Sequence, residues 1–315
     1  MKKVLVIGAA GSIGSLVIKY LLSEGKYEIS ALDLKNKRVI NKLHSYKKRI
    51  KVIYGDITDK KLINSLIKEN DYVINLASCL PPFSEYKKNI TDIIDYGGVA
   101  NIVNAINNIN SKCYLIQSST TSFYNNNPAS VKDKIMVEEF NYFDKNKKAA
   151  EDLIIKKLKN YTILRIPLVL SDLNKDPFIY NIKLDSNLEV ITKEDAARAL
   201  VNSVNKSEII NKKIINIGGG KYNQITYNEL IQKILKYHGI SWNYILTSIF
   251  VPKNFKSPIL LDSDESEKLL KYRNDSLDSY FIRLKNRSKK RKISKFFGKL
   301  ISKILSKKMK TVSKK

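Results

Sequence analysis

Along the first two hundred residues, short runs of apolar, β-branched residues alternate with stretches whose apolar side chains recur every three or four positions. The first pattern suits buried strands and the second amphipathic helices, and their alternation predicts a parallel sheet covered by helices on both faces. The spacing predicts strands at residues 3–8, 28–34, 51–55, 72–77, 113–118, 162–169 and 213–217. Helices fill most intervals, including residues 90–108 and 144–159. Doubly wound sheets of this class bind ligands at the carboxyl ends of their strands, so the polar residues at those ends are the candidates for chemistry.

The most informative strand end is the first. Residues 4–14 read VLVIGAAGSIG, a strand, a glycine turn and a helix start in immediate succession. That order places a pyrophosphate on free N–H groups at the positive end of a helix. It marks Gly8, Gly11, Ser12, Ile13 and Gly14 as cofactor-binding residues, although the spacing is GxxGxxG rather than GxGxxG. The second strand ends in Asp33, about 20 residues past the glycines, where a carboxylate accepts hydrogen bonds from a ribose and repels a 2′-phosphate. NAD is therefore expected, and Lys35, Lys37 and Arg38 keep NADP as the alternative. After the third strand, Thr58 or Asp59 is suited to cap the next helix, while Asp56 and Ile57 face the adenine side. After the fourth come Leu76, Ala77 and Ser78, small enough at 77–78 for a ribose to lie against the backbone, then the stiffening pair Pro81-Pro82.

At 315 residues the chain is long enough for a large core, in one extended α/β domain or two unequal lobes. Its two cysteines, Cys79 and Cys113, and two histidines, His44 and His238, form no metal or disulfide pattern. They fit a reducing, cytoplasmic compartment, and no metal site is expected. Glycines interrupt the apolar start, which argues against a signal peptide, and no apolar run reaches membrane-spanning length.

The net charge of +27 is concentrated at one end. Residues 283–315 hold 15 Lys or Arg and no acid, which leaves +12 on residues 1–282. The tail therefore reads as a separate unit after a domain at 1–282. Within it, Ile293, Phe296, Phe297, Leu300, Ile301, Ile304 and Leu305 recur at helical spacing among lysines. A cationic helix with such a stripe lies flat on an anionic bilayer, so residues 288–310 are expected to hold the protein peripherally on the inner face of the cell membrane. Docking on the globular body or a second subunit is the plainer reading of the stripe. Nucleic acid is disfavoured, because aromatic interleaving stops at Phe296-Phe297 and the stripe would be left unexplained.

GAAGSIG, Asp33, GDITD at 55–59, NLAS at 75–78, DYGGVAN at 95–101 and Ser118-Ser119-Thr120 together resemble the extended short-chain dehydrogenase/reductase family, its NAD-dependent epimerase/dehydratase group. The likeness continues through TILR at 162–165, TKEDAARA at 192–199 and NIGGG at 216–220, covering about residues 3–280. It implies a Rossmann core at about residues 1–170 and a smaller C-terminal substrate lobe, mainly 171–190 and 221–282. It also implies a tightly held nicotinamide cofactor, often a nucleotide-activated sugar as substrate, and dimerisation through helices near residues 92–108 and 145–159. Downstream of the glycines at 218–220, Thr226 with Glu229 reads as a structural capping box.

Enzymes of that family use a Ser/Thr–Tyr–Lys set, in which a cation brings the phenol's pKa down from about 10 so that it exchanges a proton with a substrate hydroxyl. Counting back from Tyr124 puts Thr120 at the Ser/Thr position, and the Ala and Glu that follow align Lys147 with the lysine, which also holds the cofactor ribose. Phe143 then stands where tyrosine belongs. Tyr142 is adjacent, and on a regular helix it points about 100° away from the required direction. If the helix begins only after residue 143, Tyr142 supplies the phenol. Two readings follow: an NAD-dependent oxidoreductase, epimerase or dehydratase using Thr120, Tyr142 and Lys147, or a catalytically silent NAD-binding protein targeted by its tail. Pro81-Pro82-Phe83, residues 124–128 and residues 171–187 are the expected substrate determinants.

Overall fold

The alternation of Val4 and Val6 with Leu5 and Ile7 places successive side chains on opposite faces of the first strand, and both faces are buried. A computed structural model describes all residues except 82, 125–127, 133–140, 171–181, 238–241, 243–257 and 291–315. Its first half runs β1 (Lys2–Ile7), α1 (Gly14–Glu24), β2 (Tyr27–Asp33), α2 (Lys37–His44), β3 (Lys51–Tyr54), α3 (Lys60–Glu69) and β4 (Tyr72–Asn75). Two short helical turns, α4 (Phe83–Tyr86) and α5 (Lys88–Thr91), lead through a π-helical segment, Asp92–Gly97, into α6 (Gly98–Asn108). Then follow β5 (Tyr114–Thr120), α7 (Tyr142–Lys157), β6 (Tyr161–Ile166), β7 (Leu168–Leu170), β8 (Asn187–Thr192), α8 (Lys193–Asn205), α9 (Ser207–Ile210) and β9 (Lys213–Asn216). The chain closes with β10 (Gln224–Thr226), α10 (Tyr227–Tyr237), α11 (Ser263–Leu270) and α12 (Leu277–Lys290).

Seven strands form a parallel sheet in the order β3-β2-β1-β4-β5-β6-β9. The winding reverses between β1 and β4, so the crevice for a ligand opens at their carboxyl ends. On one face Val4 and Val6 pack with Val17, Ile18 and Leu21 of α1 and with Leu200 and Val204 of α8. On the other, Leu5 and Ile7 pack with Ile63 and Ile67 of α3, Ile102 and Ile106 of α6, and Ile154 of α7. This is the doubly wound arrangement expected from the sequence pattern.

The run at 162–169, expected as one strand, is two. Pro167 has no N–H for the ladder and separates β6, in the large sheet, from β7, in a three-stranded sheet ordered β10-β8-β7. Leu188 and Val190 of β8 form a second core with Leu230 and Ile234 of α10 and Phe281 and Leu284 of α12. That is the smaller lobe. The sequence boundary at 282/283 falls inside α12, where Leu284 is buried, so the body of the protein extends past residue 282. The tail helix expected at 288–310 lies almost wholly outside the described residues. No helix among the described residues is long and apolar enough to cross a membrane.

Candidate active site

A cleft of about 600 Å³ opens over the carboxyl ends of the large sheet. The glycine turn forms its floor: Gly8, Gly11, Ser12, Ile13 and Gly14 all line it. Gly8 has φ +77, and a Cβ on Gly14 would sit 2.3 Å from the Gly8 carbonyl oxygen, so the turn is closed too tightly for side chains there. No side chain caps α1; Ser15 N–H donates to the Gly11 carbonyl and Leu16 N–H to that of Ile13, and the helix's positive end, with Ser12, Ile13 and Gly14, borders the cleft. Lys42 braces the turn from α2, donating to the Ala10 and Gly11 carbonyls at 2.9 Å each. Burial, then repulsion from Arg38 and Lys193, lowers its pKa.

Asp33 lies beside the turn. One carboxylate oxygen accepts from Ala10 N–H at 2.7 Å and the other from Leu34 N–H at 2.8 Å. Arg38 lines the same end of the cleft, whereas Lys35 and Lys37 do not. Asp56 and Ile57 border the cleft as well, with Asp56 accepting from Thr58 N–H. The neighbouring helix cap is Asp59, which accepts from both Lys61 and Leu62 N–H. Leu76, Ala77 and Ser78 complete the wall after β4. A closed glycine turn, an uncapped helix and a carboxylate at the end of β2 fit the pyrophosphate and ribose of a dinucleotide.

Toward the other end stand Ser118, Ser119, Thr120, Phe143 and Lys147. Helix α7 sets the last two. Asn141 caps it by accepting from Asp144 N–H, and Glu85 of α4 accepts from both Tyr142 and Phe143 N–H, at 2.9 and 3.1 Å. The helix therefore begins at Tyr142, and residues 143 and 147 fall one turn apart on its inner face. Lys147 lies 5.6 Å from the Phe143 ring centroid. A buried carboxylate, Asp95, holds the ammonium at 3.3 Å. Asp95 also accepts from the Ser78 hydroxyl at 2.5 Å and from Cys79 N–H at 2.8 Å.

Tyr142, expected as the substitute phenol, is not in the cleft. Its hydroxyl donates to Asp92 at 2.6 Å, and its ring faces Lys88 and Lys145. The hydrogen bond to the Asp92 carboxylate raises its pKa, opposite to the shift a general base requires. The reason is the helix start: with α7 already formed at residue 142, neighbouring side chains diverge and only Phe143 points inward. Tyr124 is likewise used structurally. It accepts from Arg165 at 2.8 Å and donates to Asn216, while Arg165 is gripped by Glu151 of α7 through two hydrogen bonds.

Thr120 is in the cleft, but its hydroxyl is engaged from behind. It meets the Ser122 hydroxyl at 2.7 Å, and Ser122 in turn donates to Asp144. Ser119, one residue earlier, has its hydroxyl buried with no hydrogen-bond partner among the described residues. Asp95, Ser119, Ser122, Asp144 and Glu85 were not singled out individually from the sequence, although Asp95 and Ser119 lie inside motifs that were.

The model of the NAD dependent epimerase/dehydratase family matches residues 4–193. The chain belongs to this family. NAD, for which the family is named, is the cofactor that the cleft's turn and carboxylate fit. Two curated epimerases are similar over part of their length. CDP-paratose 2-epimerase of Salmonella typhi is 30% identical over 127 residues, 39% of this chain and 38% of that protein. UDP-glucose 4-epimerase of Lactobacillus helveticus is 31% identical over 133 residues, 39% of this chain and 36% of that protein. The match thus spans less than two fifths of each relative. Among solved structures, UDP-glucuronic acid 4-epimerase from Bacillus cereus, in complex with UDP-glucuronic acid and NAD, superposes with a TM-score of 0.73 at 20% identity, covering 91% of this chain and 99% of that one. UDP-glucose 4-epimerase from Thermotoga maritima, solved with UDP-glucose, gives 0.70 at 18% identity, covering 93% and 100%. At such identities the epimerase/dehydratase fold is what is shared.

Proposed function

We propose that this protein oxidises a hydroxyl of a nucleotide-activated sugar with NAD, as the first step of an epimerisation or dehydration. The observation that carries the reading is the single cleft in which the glycine turn and Asp33 lie at one end and Thr120, Ser119 and Lys147 at the other. When bound, the nicotinamide supplies the hydride acceptor. Gly8, Gly11, Ser12, Ile13 and Gly14 would hold the pyrophosphate, Asp33 the adenosine ribose, Asp56 and Ile57 the adenine side, and Leu76, Ala77, Ser78 and Lys147 the remainder. Ser119 and Thr120 would hydrogen-bond the sugar. The family and the nucleotide-sugar epimerases among its similar proteins support this class of substrate.

The test uses purified full-length protein and its bound cofactor. Mixed with UDP-glucose, UDP-glucuronic acid or CDP-linked deoxysugars, it is expected to raise NADH absorbance transiently and to yield an altered sugar by chromatography. Tight NAD binding with no change in any sugar would instead support the silent NAD-binding protein that Phe143 suggests.

We infer further, from charge and periodicity, that residues 288–310 hold the protein on the cytoplasmic face of an anionic membrane and that a homodimer forms through the helices near 92–108 and 145–159. Sedimentation with anionic vesicles, reversed by salt, tests the first. Light scattering on a sizing column tests the second.

A further inference from the structure

Phe143 stands where the family's phenol is expected, no tyrosine is among the described residues lining the cleft, and the groups around Phe143 lead to a different proton acceptor. Among the described residues lining the cleft the carboxylates are Asp33 and Asp56, both at the dinucleotide end and both tied to backbone N–H groups. Behind Thr120, however, a chain of hydroxyls runs inward to a third. Thr120 Oγ1 is 2.7 Å from Ser122 Oγ, Ser122 donates to Asp144 Oδ1, and all three residues are buried, Asp144 at 2% exposure. Asn141 donates to the other Asp144 oxygen at 2.7 Å, which fixes the carboxylate in place.

The direction of this chain is set by proton counting. An ionised carboxylate only accepts, so the one Ser122 proton goes to Asp144 and Ser122 must accept from Thr120. Thr120 also accepts from Ser122 N–H at 3.1 Å. With its own proton committed, Thr120 can meet a substrate hydroxyl only as an acceptor. A second hydroxyl–carboxylate pair, Ser78–Asp95, reaches the cleft through Ser78, but Asp95 already holds the Lys147 ammonium at 3.3 Å and Cys79 N–H at 2.8 Å.

We propose that Thr120, Ser122 and Asp144 form a proton relay that takes the place of the missing tyrosine. The inference rests on the reading that a sugar hydroxyl is oxidised in this cleft. As the substrate C–H bond breaks, its electron pair leaves as hydride to the oxidised nicotinamide dinucleotide and the C–O bond becomes a carbonyl. The hydroxyl proton passes to Thr120 Oγ1, the Thr120 proton to Ser122 Oγ, and the Ser122 proton to Asp144, which ends neutral. Reduction of the carbonyl runs the same transfers backwards. Thr120 touches the substrate; Ser122 and Asp144 act through it as positioning residues and proton store.

The experiment compares wild type, Ser122→Ala, Asp144→Asn, their double variant, and Asp144→Asn combined with Phe143→Tyr. It reads single-turnover NADH formation with a nucleotide sugar, NAD affinity by calorimetry, and folding by circular dichroism. Each single variant is expected to slow hydride transfer by about 10²–10⁴-fold with NAD affinity unchanged, the double variant no further. Phe143→Tyr is expected to return at least about tenfold of the loss in Asp144→Asn, a rescue that a purely structural Asp144 would not show. Should Asp144→Asn fail to fold, Ser122→Ala decides the matter alone. A wild type that turns over while Ser122→Ala matches it overturns the relay and leaves the functional reading standing. A wild type that turns over no nucleotide sugar overturns both.

Discussion

The ammonium of Lys147 lies 3.3 Å from the carboxylate of Asp95, and both side chains are almost wholly enclosed. Around them the π-helical segment, the end of β4 and α7 meet, with Ser78 and Cys79 N–H completing the shell of Asp95. The lysine on the floor of the cleft is therefore held by a carboxylate from another element rather than by its own helix.

Removing that carboxylate leaves a buried cation without its counter-charge, which costs far more than an exposed pair would. Asp95→Ala is expected to lose about 3–5 kcal/mol of stability, measured as a lower midpoint in urea unfolding. An unchanged midpoint would mean that Lys147 finds another partner or leaves the cleft.

Tyr142 faces Asp92 and solvent, so Tyr142→Phe is expected to leave turnover within about twofold of wild type, well short of the 10²–10⁴ that a general base contributes. Steady-state kinetics on the sugar that proves active decides this, and a hundredfold fall would place the phenol back in the reaction.

At the glycine turn, Gly14→Ala would set a methyl 2.3 Å from the Gly8 carbonyl oxygen, backbone that cannot swing aside. NAD binding should be lost in calorimetry while the sheet's circular dichroism persists. Asp33 lines the cleft at the end of β2; if its carboxylate holds the ribose as proposed, NAD should bind more tightly than NADP, and Asp33→Ser should narrow the difference, with Arg38 at hand for a phosphate. Tighter binding of NADP by wild type would reverse the assignment of Asp33.

The two thiols provide a pH test. Burial pushes Cys79 up to about 11 and Cys113 up to about 12. The sign follows directly: a raised thiol pKa leaves only about one Cys79 in a thousand as reactive thiolate at pH 8. Ellman's reagent is expected to find neither thiol in the folded protein at pH 8 and both after denaturation. Rapid labelling of Cys79 in the native state would show that the loop after β4 opens.

What the sequence determined by itself was local. The β-branched runs and their spacing specify the strands of the large sheet, because a strand buried on both faces is written as a continuous apolar run of neighbouring residues. The glycine turn and Asp33 are read from short motifs, and the Asp59 cap and the Thr226 cap, which accepts from Glu229 N–H at 3.2 Å, are each satisfied within a few residues. Lys147 and Phe143 were placed by motif alignment, and the helix start that turns Tyr142 outward was not. That start depends on Glu85, 57 residues before Tyr142 in the chain, reaching the first N–H groups of α7. Strands β8 and β10 went unread because the apolar run of β8 is interrupted by Glu189, a charged residue buried in the fold, and because β10 is three residues long. The partners that matter most to the chemistry, Asp95 for Lys147 and Asp144 for Ser122, join elements far apart in sequence. Only the packing of α7 against the sheet brings such buried charges and hydroxyls together, because a partner chosen to satisfy a desolvated group is selected by distance in space and leaves no periodic trace along the chain.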